Sequence, residues 1–187
     1  RGSVMTSGRP PLQKSFPTFL DRETHVSQER SEAIVLRGVD FSETSRIVTF
    51  LAPTRGRFSC MAAGARRAKS PLGSVLDTFN RVEIVYYWKD TRDVQRLAEA
   101  QLLDGYPGLK SSVPKSLFAA FPLELVYHVV QQNEPSEQLY KVFVQGLKSM
   151  NVWQGDPRAH SAWQVMRILL VTGFTPNLVS AQSPLGF

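Results

Sequence analysis

The chain has 187 residues, of which 42% are hydrophobic, so it has enough apolar side chains for a folded core and global disorder is excluded. Its formal net charge of +6 favours acidic partners such as nucleic acid or an anionic surface. Cys60 is the only cysteine, which excludes an internal disulfide and a zinc site built from several cysteines and suits a reducing compartment. No apolar run approaches the roughly 20 residues of a membrane helix, so we expect no membrane-spanning segment.

Residues 1–30 are rich in proline and serine and lack the apolar core of a signal peptide. The opening tripeptide, Arg1-Gly2-Ser3, is typical of a remnant left by cloning. We therefore predict that residues 1–30 form a flexible arm or are in part a cloning remnant.

Five strand-like segments follow, most of them rich in β-branched or aromatic residues. They are Ala33–Leu36, Thr44–Leu51, Arg57–Ala63, Phe79–Trp88 and Val94–Leu103. Pro53 and Gly56 supply turn chemistry between the second and third segments. Five strands within about 70 residues favour a small closed β-barrel, because an open sheet would leave edges that need cover.

A basic stretch lies in the middle of this region. The sequence from Thr44 to Leu76 contains no Asp or Glu, and its densest part is a loop over Gly64–Ser74 with room for one helical turn. Because Arg and Lys attract phosphates without reading sequence, the stretch is a candidate polyanion site with unopposed cations. The alternative is a solvated loop with surplus charge. The candidate contacts are Arg46, Arg55, Arg57, Arg66, Arg67, Lys69 and Ser70.

Aromatic residues flank the basic stretch at Phe58 and over Tyr86–Trp88. Proteins that bind single strands combine a basic groove with aromatic side chains on which bases stack, so these residues are candidate stacking platforms. The alternative is that they fill the barrel core. Tyr86, Tyr87 and Trp88 are consecutive, however, and cannot all point inward in a regular strand.

From Tyr106 onwards the apolar spacing becomes helical. It predicts a helix over Ser116–Gln132, with a kink or a break at Pro122. A second helix follows Glu134-Pro135, and a third begins at Asp156-Pro157 and ends at Gly173.

Residues suited to catalysis are scattered along the sequence. The three histidines lie far apart, and we expect His128 to be a partly buried packing residue. Glu124 is either a buried charge with an arginine partner or an exposed side chain, and Cys60 is expected to be a small apolar strand residue. Ala68 stands where a phosphate-binding P-loop requires glycine. We therefore expect no enzyme activity, no cofactor and no metal site.

Several of these segments resemble the RecO family of bacterial DNA repair and recombination-mediator proteins. The most specific is Gly64–Ser70, which reads Gly-Ala-Arg-Arg-Ala-Lys-Ser. Segments similar to the N-terminal domain of the family also include Glu32–Leu36, Glu43–Val48 and Thr54–Arg57. Segments similar to its helical domain follow in the right order and are Leu123–Val126, Glu134-Pro135, Leu139-Tyr140, Leu147 and Ile168–Leu178.

The resemblance implies an α+β chain, with a five-stranded OB-fold barrel over residues 31–105 and an all-α helical domain over residues 106–187. It implies binding of single- and double-stranded DNA, annealing of complementary strands, and action with RecR and the single-stranded-DNA-binding protein to load recombinase. It also implies a bacterial cytoplasmic protein associated with the nucleoid. Ala181 and Pro184 stand where the family's first zinc-binding cysteine pair would fall, so we expect no zinc and a short or truncated helical domain.

The alternative function is that of a protein-interaction adaptor whose basic loop binds an acidic protein rather than DNA. The acidic tail of the single-stranded-DNA-binding protein would be one such partner. Salt-dependent binding to oligonucleotides of mixed sequence separates the two functions.

Overall fold

The computed structural model describes residues 26–174, so most of the predicted arm, residues 1–25, and the segment after residue 174 lie outside the described residues. Five strands close a barrel in the order β1-β2-β3-β5-β4, in which only the β3–β5 pair is parallel. They are β1 (Ser27–Asp40), β2 (Arg46–Ala52), β3 (Gly56–Ala62), β4 (Arg81–Trp88) and β5 (Val94–Asp104). The predicted five-stranded OB-fold barrel is confirmed.

Strand β1 is much longer than the sequence suggested. Its first half pairs with β4, beginning at Ser27 opposite Trp88, and its second half pairs with β2, ending at Asp40 opposite Arg46. Only Ala33–Leu36 is fully buried, and it is the one part with an apolar pattern. The predicted four-residue strand was therefore too short, and residues 27–30, assigned to the arm, belong to the barrel.

Within residues 26–174, five helices accompany the barrel. They are α1 (Leu72–Val75), α2 (Pro107–Lys110), α3 (Val113–Val129), α4 (Glu137–Val152) and α5 (Pro157–Val171). The predicted start of α5 is confirmed, because the Asp156 side chain accepts a hydrogen bond of 2.9 Å from the backbone N–H of Arg158. Gly173 follows α5 with a φ of 82°, as a C-terminal cap requires. No helix within residues 26–174 has the length and apolar character needed to cross a membrane.

Helix α3 continues through Pro122, so of the two predicted alternatives, a kink or a break, the break is wrong. Proline has no N–H, which leaves the carbonyl oxygen of Phe118 without its partner inside the helix. The hydroxyl of Ser161 on α5 donates to that oxygen at 2.7 Å. A neighbouring helix thus supplies the hydrogen bond that proline removes.

The outer face of α3 carries Glu124 and His128, whose carboxylate and imidazole approach to 3.6 Å. The His128 side chain is 73% exposed, so the prediction of a packing residue is wrong. The buried positions of α3 are Ala119, Pro122, Leu123 and Val126, which leaves 124 and 128 on the solvent side.

The tip of the β2–β3 hairpin docks on the linker between α3 and α4. The backbone N–H of Asn133 donates to the carbonyl of Arg57 at 3.1 Å, and that of Ser136 donates to the carbonyl of Pro53 at 3.0 Å. Gly56 lies in the left-handed region with a φ of 58°, and a Cβ there would overlap the carbonyl oxygen of Glu134. Glycine is therefore required for both the turn and the close approach.

We predict that Gly56→Ala destabilises the chain by at least about 3 kcal/mol, because the left-handed backbone costs about 1–2 kcal/mol and the linker must also move. Gly173→Ala is the matched control, since its φ is 82° and a Cβ there meets nothing within 4 Å. Urea unfolding of both variants measures the difference. Equal losses for the two would contradict a steric role for the linker.

Candidate nucleic-acid interface

The seven candidate contacts fall into two groups at opposite ends of the β2–β3 hairpin. Arg46 starts β2, and the loop after β3 carries Arg66, Arg67, Lys69 and Ser70 at the same end. Arg55 and Arg57 lie at the turn, at the other end. Because β2 and β3 each contain seven residues, the two groups are separated by about 20 Å. The sequence predicted one site, whereas the structure separates its members.

Asp40 joins two of the arginines at the loop end. Its Oδ1 lies 3.2 Å from Nε of Arg46, and its Oδ2 lies 3.2 Å from Nε of Arg66. Arg66 also donates from Nη1 to the carbonyl of Ser42 at 2.6 Å, and its N–H donates to the carbonyl of Thr44 at 3.1 Å. The predicted absence of opposing charge is wrong here, because the end of β1 places an acid from outside the basic stretch beside Arg46 on the neighbouring strand β2.

Arg67 and Lys69 are exposed on the loop and form no ion pair within residues 26–174. The hydroxyl of Ser70 accepts a hydrogen bond of 3.3 Å from the N–H of Leu72, the first residue of the short helix α1. Gly64 enters the loop with a φ of 73°, a backbone conformation that glycine adopts readily. Local bonds therefore shape the loop and leave the two cations facing solvent.

The hairpin end holds Arg55 in a half-buried cluster. Its Nε donates to Glu29 at 3.1 Å, and its guanidinium lies 4.1 Å from the centre of the Trp88 ring. The hydroxyl of Tyr86 donates to the same carboxylate at 2.9 Å. Burial raises the pKa of Glu29, but hydrogen bonds from Arg55 and Tyr86 lower it more, so the net pKa lies below its usual 4.5.

Arg57 bridges the barrel and the helices. Its Nε donates to the carbonyl of Val130 at 3.2 Å, and its guanidinium lies 4.8 Å from the centre of the Tyr127 ring. Arg55 and Arg57 are thus engaged by the fold itself. Nothing in the sequence indicated these partners, because Glu29 fell in the predicted arm and Tyr127 in the helical domain.

The predicted aromatic platform is largely internal. Phe58, Tyr86 and Trp88 are buried, and the Phe58 ring centre lies 4.9 Å from that of Tyr86 and 5.9 Å from that of Trp88. Strand alternation places Tyr87 on the outer surface, where it is half-buried. Three of the four aromatics therefore stabilise the barrel.

The buried Cys60 belongs to the same core, and burial raises the pKa of its thiol.

Arg96 is a candidate contact that the sequence analysis missed. It is exposed on β5, where it pairs with Met61 of β3, which pairs in turn with Ile47 of β2. These two pairings place Arg96 at the loop end of the barrel, near Arg46. The sequence does not indicate Arg96 as a contact, because the β3–β5 pairing joins residues far apart along the chain. Within residues 26–174, no three His, Cys, Asp or Glu side chains gather into a potential metal site.

We predict that Arg55→Ala lowers the free energy of unfolding at pH 7 by about 1–2 kcal/mol, because it removes a charged hydrogen bond and a cation–π contact. The depressed pKa of Glu29 means that the ion-pair part of this stabilisation is present above about pH 4.5 and is lost as the pH falls through the folded-state pKa, whereas the cation–π part remains. Urea unfolding at pH 7 and pH 3.5 tests both statements. Arg67→Ala is the control and should change stability by less than about 0.5 kcal/mol at either pH.

Comparison with known proteins agrees with this architecture. A family model described as Recombination protein O N terminal matches residues 26–106, and one described as Recombination protein O C terminal matches residues 111–181. The first match covers the barrel, and the second covers the three long helices.

Curated relatives carry the same family name. The chain is 30% identical over 149 residues to DNA repair protein RecO of Salinibacter ruber, covering 79% of this chain and 56% of that relative. It is also 30% identical over 151 residues to the Exiguobacterium sibiricum protein of that name, covering 80% of this chain and 59% of the relative. The chain thus spans less than 60% of the length of either relative. The two family matches together cover most of the chain, which belongs to the recombination protein O (RecO) family of DNA repair proteins.

Proposed function

We propose that this chain is a DNA-binding recombination mediator that binds single- and double-stranded DNA through the loop end of its barrel. The basic surface is defined here as Arg46, Arg66, Arg67, Lys69 and Arg96. The observation that carries the proposal is that Arg67 and Lys69 face solvent, free of ion pairs within residues 26–174, beside two arginines already held in position. Such a surface binds the phosphates of nucleic acid whatever the base sequence.

The proposed mechanism is charge neutralisation. Two complementary strands repel each other through their phosphates, and cations bound along one strand reduce the work of bringing the second strand near. Annealing of complementary strands then needs no reacting group, so we propose no enzyme activity. By family membership we also propose action with RecR and the single-stranded-DNA-binding protein in loading recombinase, in the bacterial cytoplasm at the nucleoid.

Asp40 has two opposing effects in this proposal. Its carboxylate orients Arg46 and Arg66, each through an Nε–oxygen distance of 3.2 Å. It also occupies the guanidinium edges that a phosphate would use and adds a negative charge to the binding surface. Because the Asp40 side chain is 50% exposed, its pairing with the arginines is weak enough for a phosphate to compete.

We predict that Arg67→Ala with Lys69→Ala weakens binding of both single- and double-stranded DNA and leaves the melting temperature unchanged. Each lost phosphate contact should also reduce the log–log salt slope by about 0.7 to 0.9. Titrations with labelled oligonucleotides at several salt concentrations measure both effects.

The matched control is Arg30→Ala with Lys141→Ala. It removes the same charge from exposed residues that pair with Glu83 and Glu137 away from the basic surface. A flat salt response of the parent protein, or equal losses in both double variants, would contradict the DNA site. It would favour an adaptor that binds an acidic protein.

We predict that Asp40→Asn strengthens DNA binding several-fold at low salt, because it frees two guanidinium groups and removes a repelling charge. Glu43→Gln is the control, since it removes the same charge from the neighbouring loop without releasing an arginine. It should strengthen binding less. Weaker binding by Asp40→Asn would show that orienting the arginines matters more than their release.

A further inference from the structure

A cavity of about 440 Å³ opens on the helical domain, between the end of α4 and the start of α5. It is lined by Ser149, Trp153, Ala159, His160 and Trp163. The centre of the His160 ring lies 5.2 Å from that of Trp153 and 5.4 Å from that of Trp163, and both tryptophans meet it nearly edge-on. Three aromatic rings therefore line one concave site.

The two tryptophans are accessible, whereas the histidine is not. Trp153 is 36% exposed and Trp163 is 47% exposed, while His160 is buried. Nε2 of His160 is hydrogen-bonded to the hydroxyl of Ser149 at 2.9 Å, which fixes the ring. Burial lowers the pKa of His160, so the imidazole is neutral at pH 7. The cavity thus has a rigid, uncharged aromatic member between two exposed rings.

The charges that flank the cavity come from α4, α5 and their connection. Residues 142–174 contain one acid, Asp156, and the cations Lys148, Arg158 and Arg167, of which Lys148 lines a separate groove with Glu32 and Arg81. Asp156 is already paired with Arg158 at 2.8 Å. The guanidinium of Arg167 lies 4.7 Å from the centre of the Trp163 ring and donates to Gln145 at 2.9 Å. A ligand that combines a flat ring with negative charge complements this site.

We propose that this cavity, named here the tryptophan pocket, binds an unpaired base of single-stranded DNA by stacking on Trp163 and Trp153, with Arg167 attracting an adjoining phosphate. The inference rests on the proposed DNA binding and adds a second, base-recognising site. Phe58, Tyr86 and Trp88 of the barrel are buried in its core and offer bases no exposed face, and Tyr87 is half-buried on the outer surface. The tryptophan pocket supplies the stacking platform that single-strand binding uses.

The pocket gives a physical means of distinguishing strand types. A base in a duplex is already paired and stacked, so entering the pocket would require its extrusion at a cost of a few kcal/mol. For a base in a single strand, the free-energy cost of unpairing and unstacking is small. Phosphate contacts on the basic surface are available to both forms. The tryptophan pocket should therefore increase affinity for single strands alone.

The test measures binding of an oligo(dT) strand, a strand of equal length with abasic sites, and a duplex by Trp163→Ala. Loss of a stacked base should weaken oligo(dT) binding between about fivefold and 100-fold and leave the other two affinities unchanged. Phe121→Ala is the matched control, because Phe121 is an exposed aromatic on α3 outside the pocket. It should leave all three affinities unchanged.

Fluorescence provides a readout that does not depend on the alanine variant folding. Trp88 is buried in the barrel, so oligo(dT) should quench emission mainly from Trp153 and Trp163. Trp163→Phe retains a flat ring and should keep most of the single-strand affinity while losing much of the quenching. The abasic strand should quench little in the parent protein.

Equal weakening of oligo(dT) and abasic strands, or no change in oligo(dT) affinity with no quenching, would overturn the proposal. So would binding of an acidic peptide with a terminal aromatic residue that depends on Trp163 while oligo(dT) binding does not, because the pocket would then dock protein. Failure of the proposed DNA-binding function would give a different result. In that case the Arg67→Ala, Lys69→Ala double variant would bind single- and double-stranded DNA as tightly as the parent protein does.

Discussion

The close approach of Gly56 to the linker between α3 and α4 is the contact that fixes the two halves of the molecule relative to each other. Only a residue without a side chain can adopt this backbone and lie so near the carbonyl of Glu134. Ile34, Leu36 and Leu51 of the barrel then join the core of the helices. Because that core is shared, the barrel and the helices bury part of their apolar surface against each other and are held as one packed unit.

This docking determines which arginines are available to a ligand. Arg55 and Arg57 lie beside the docked tip, where Glu29, Trp88, Tyr127 and the carbonyl of Val130 engage them. Within residues 26–174, the opposite end of the hairpin engages Arg46 and Arg66 through Asp40 and the carbonyl of Ser42, and it leaves Arg67 and Lys69 facing solvent. Position in the fold, rather than residue type, therefore separates structural cations from those open to solvent.

The sequence predicted the features that depend on local pattern. Barrel strands, the start of α5 at Asp156 and its glycine cap all follow from periodicity and turn chemistry. The sequence analysis failed where partners lie far apart along the chain, as with Asp40 and Arg66, Glu29 beside Arg55, and Arg96 in the β3–β5 pair. It also missed the β1–β2 hairpin that pairs Asp40 with Arg46. The predicted strand β1 was too short for a related reason, since the ends of β1 pair by backbone hydrogen bonds and carry few apolar side chains.

The same reasoning explains why most of the candidate stacking residues that the sequence indicated in the barrel are buried. A run of three aromatics beside a basic loop resembles a binding surface, but a small barrel needs large side chains to fill its interior. Two of the three fill that space. The helical core is already built from α3, α4 and α5, and Trp153 and Trp163 lie at its margin, where their rings remain exposed. Exposed aromatic side chains thus occur where the core is already filled without them, as at Trp153 and Trp163 among the described residues.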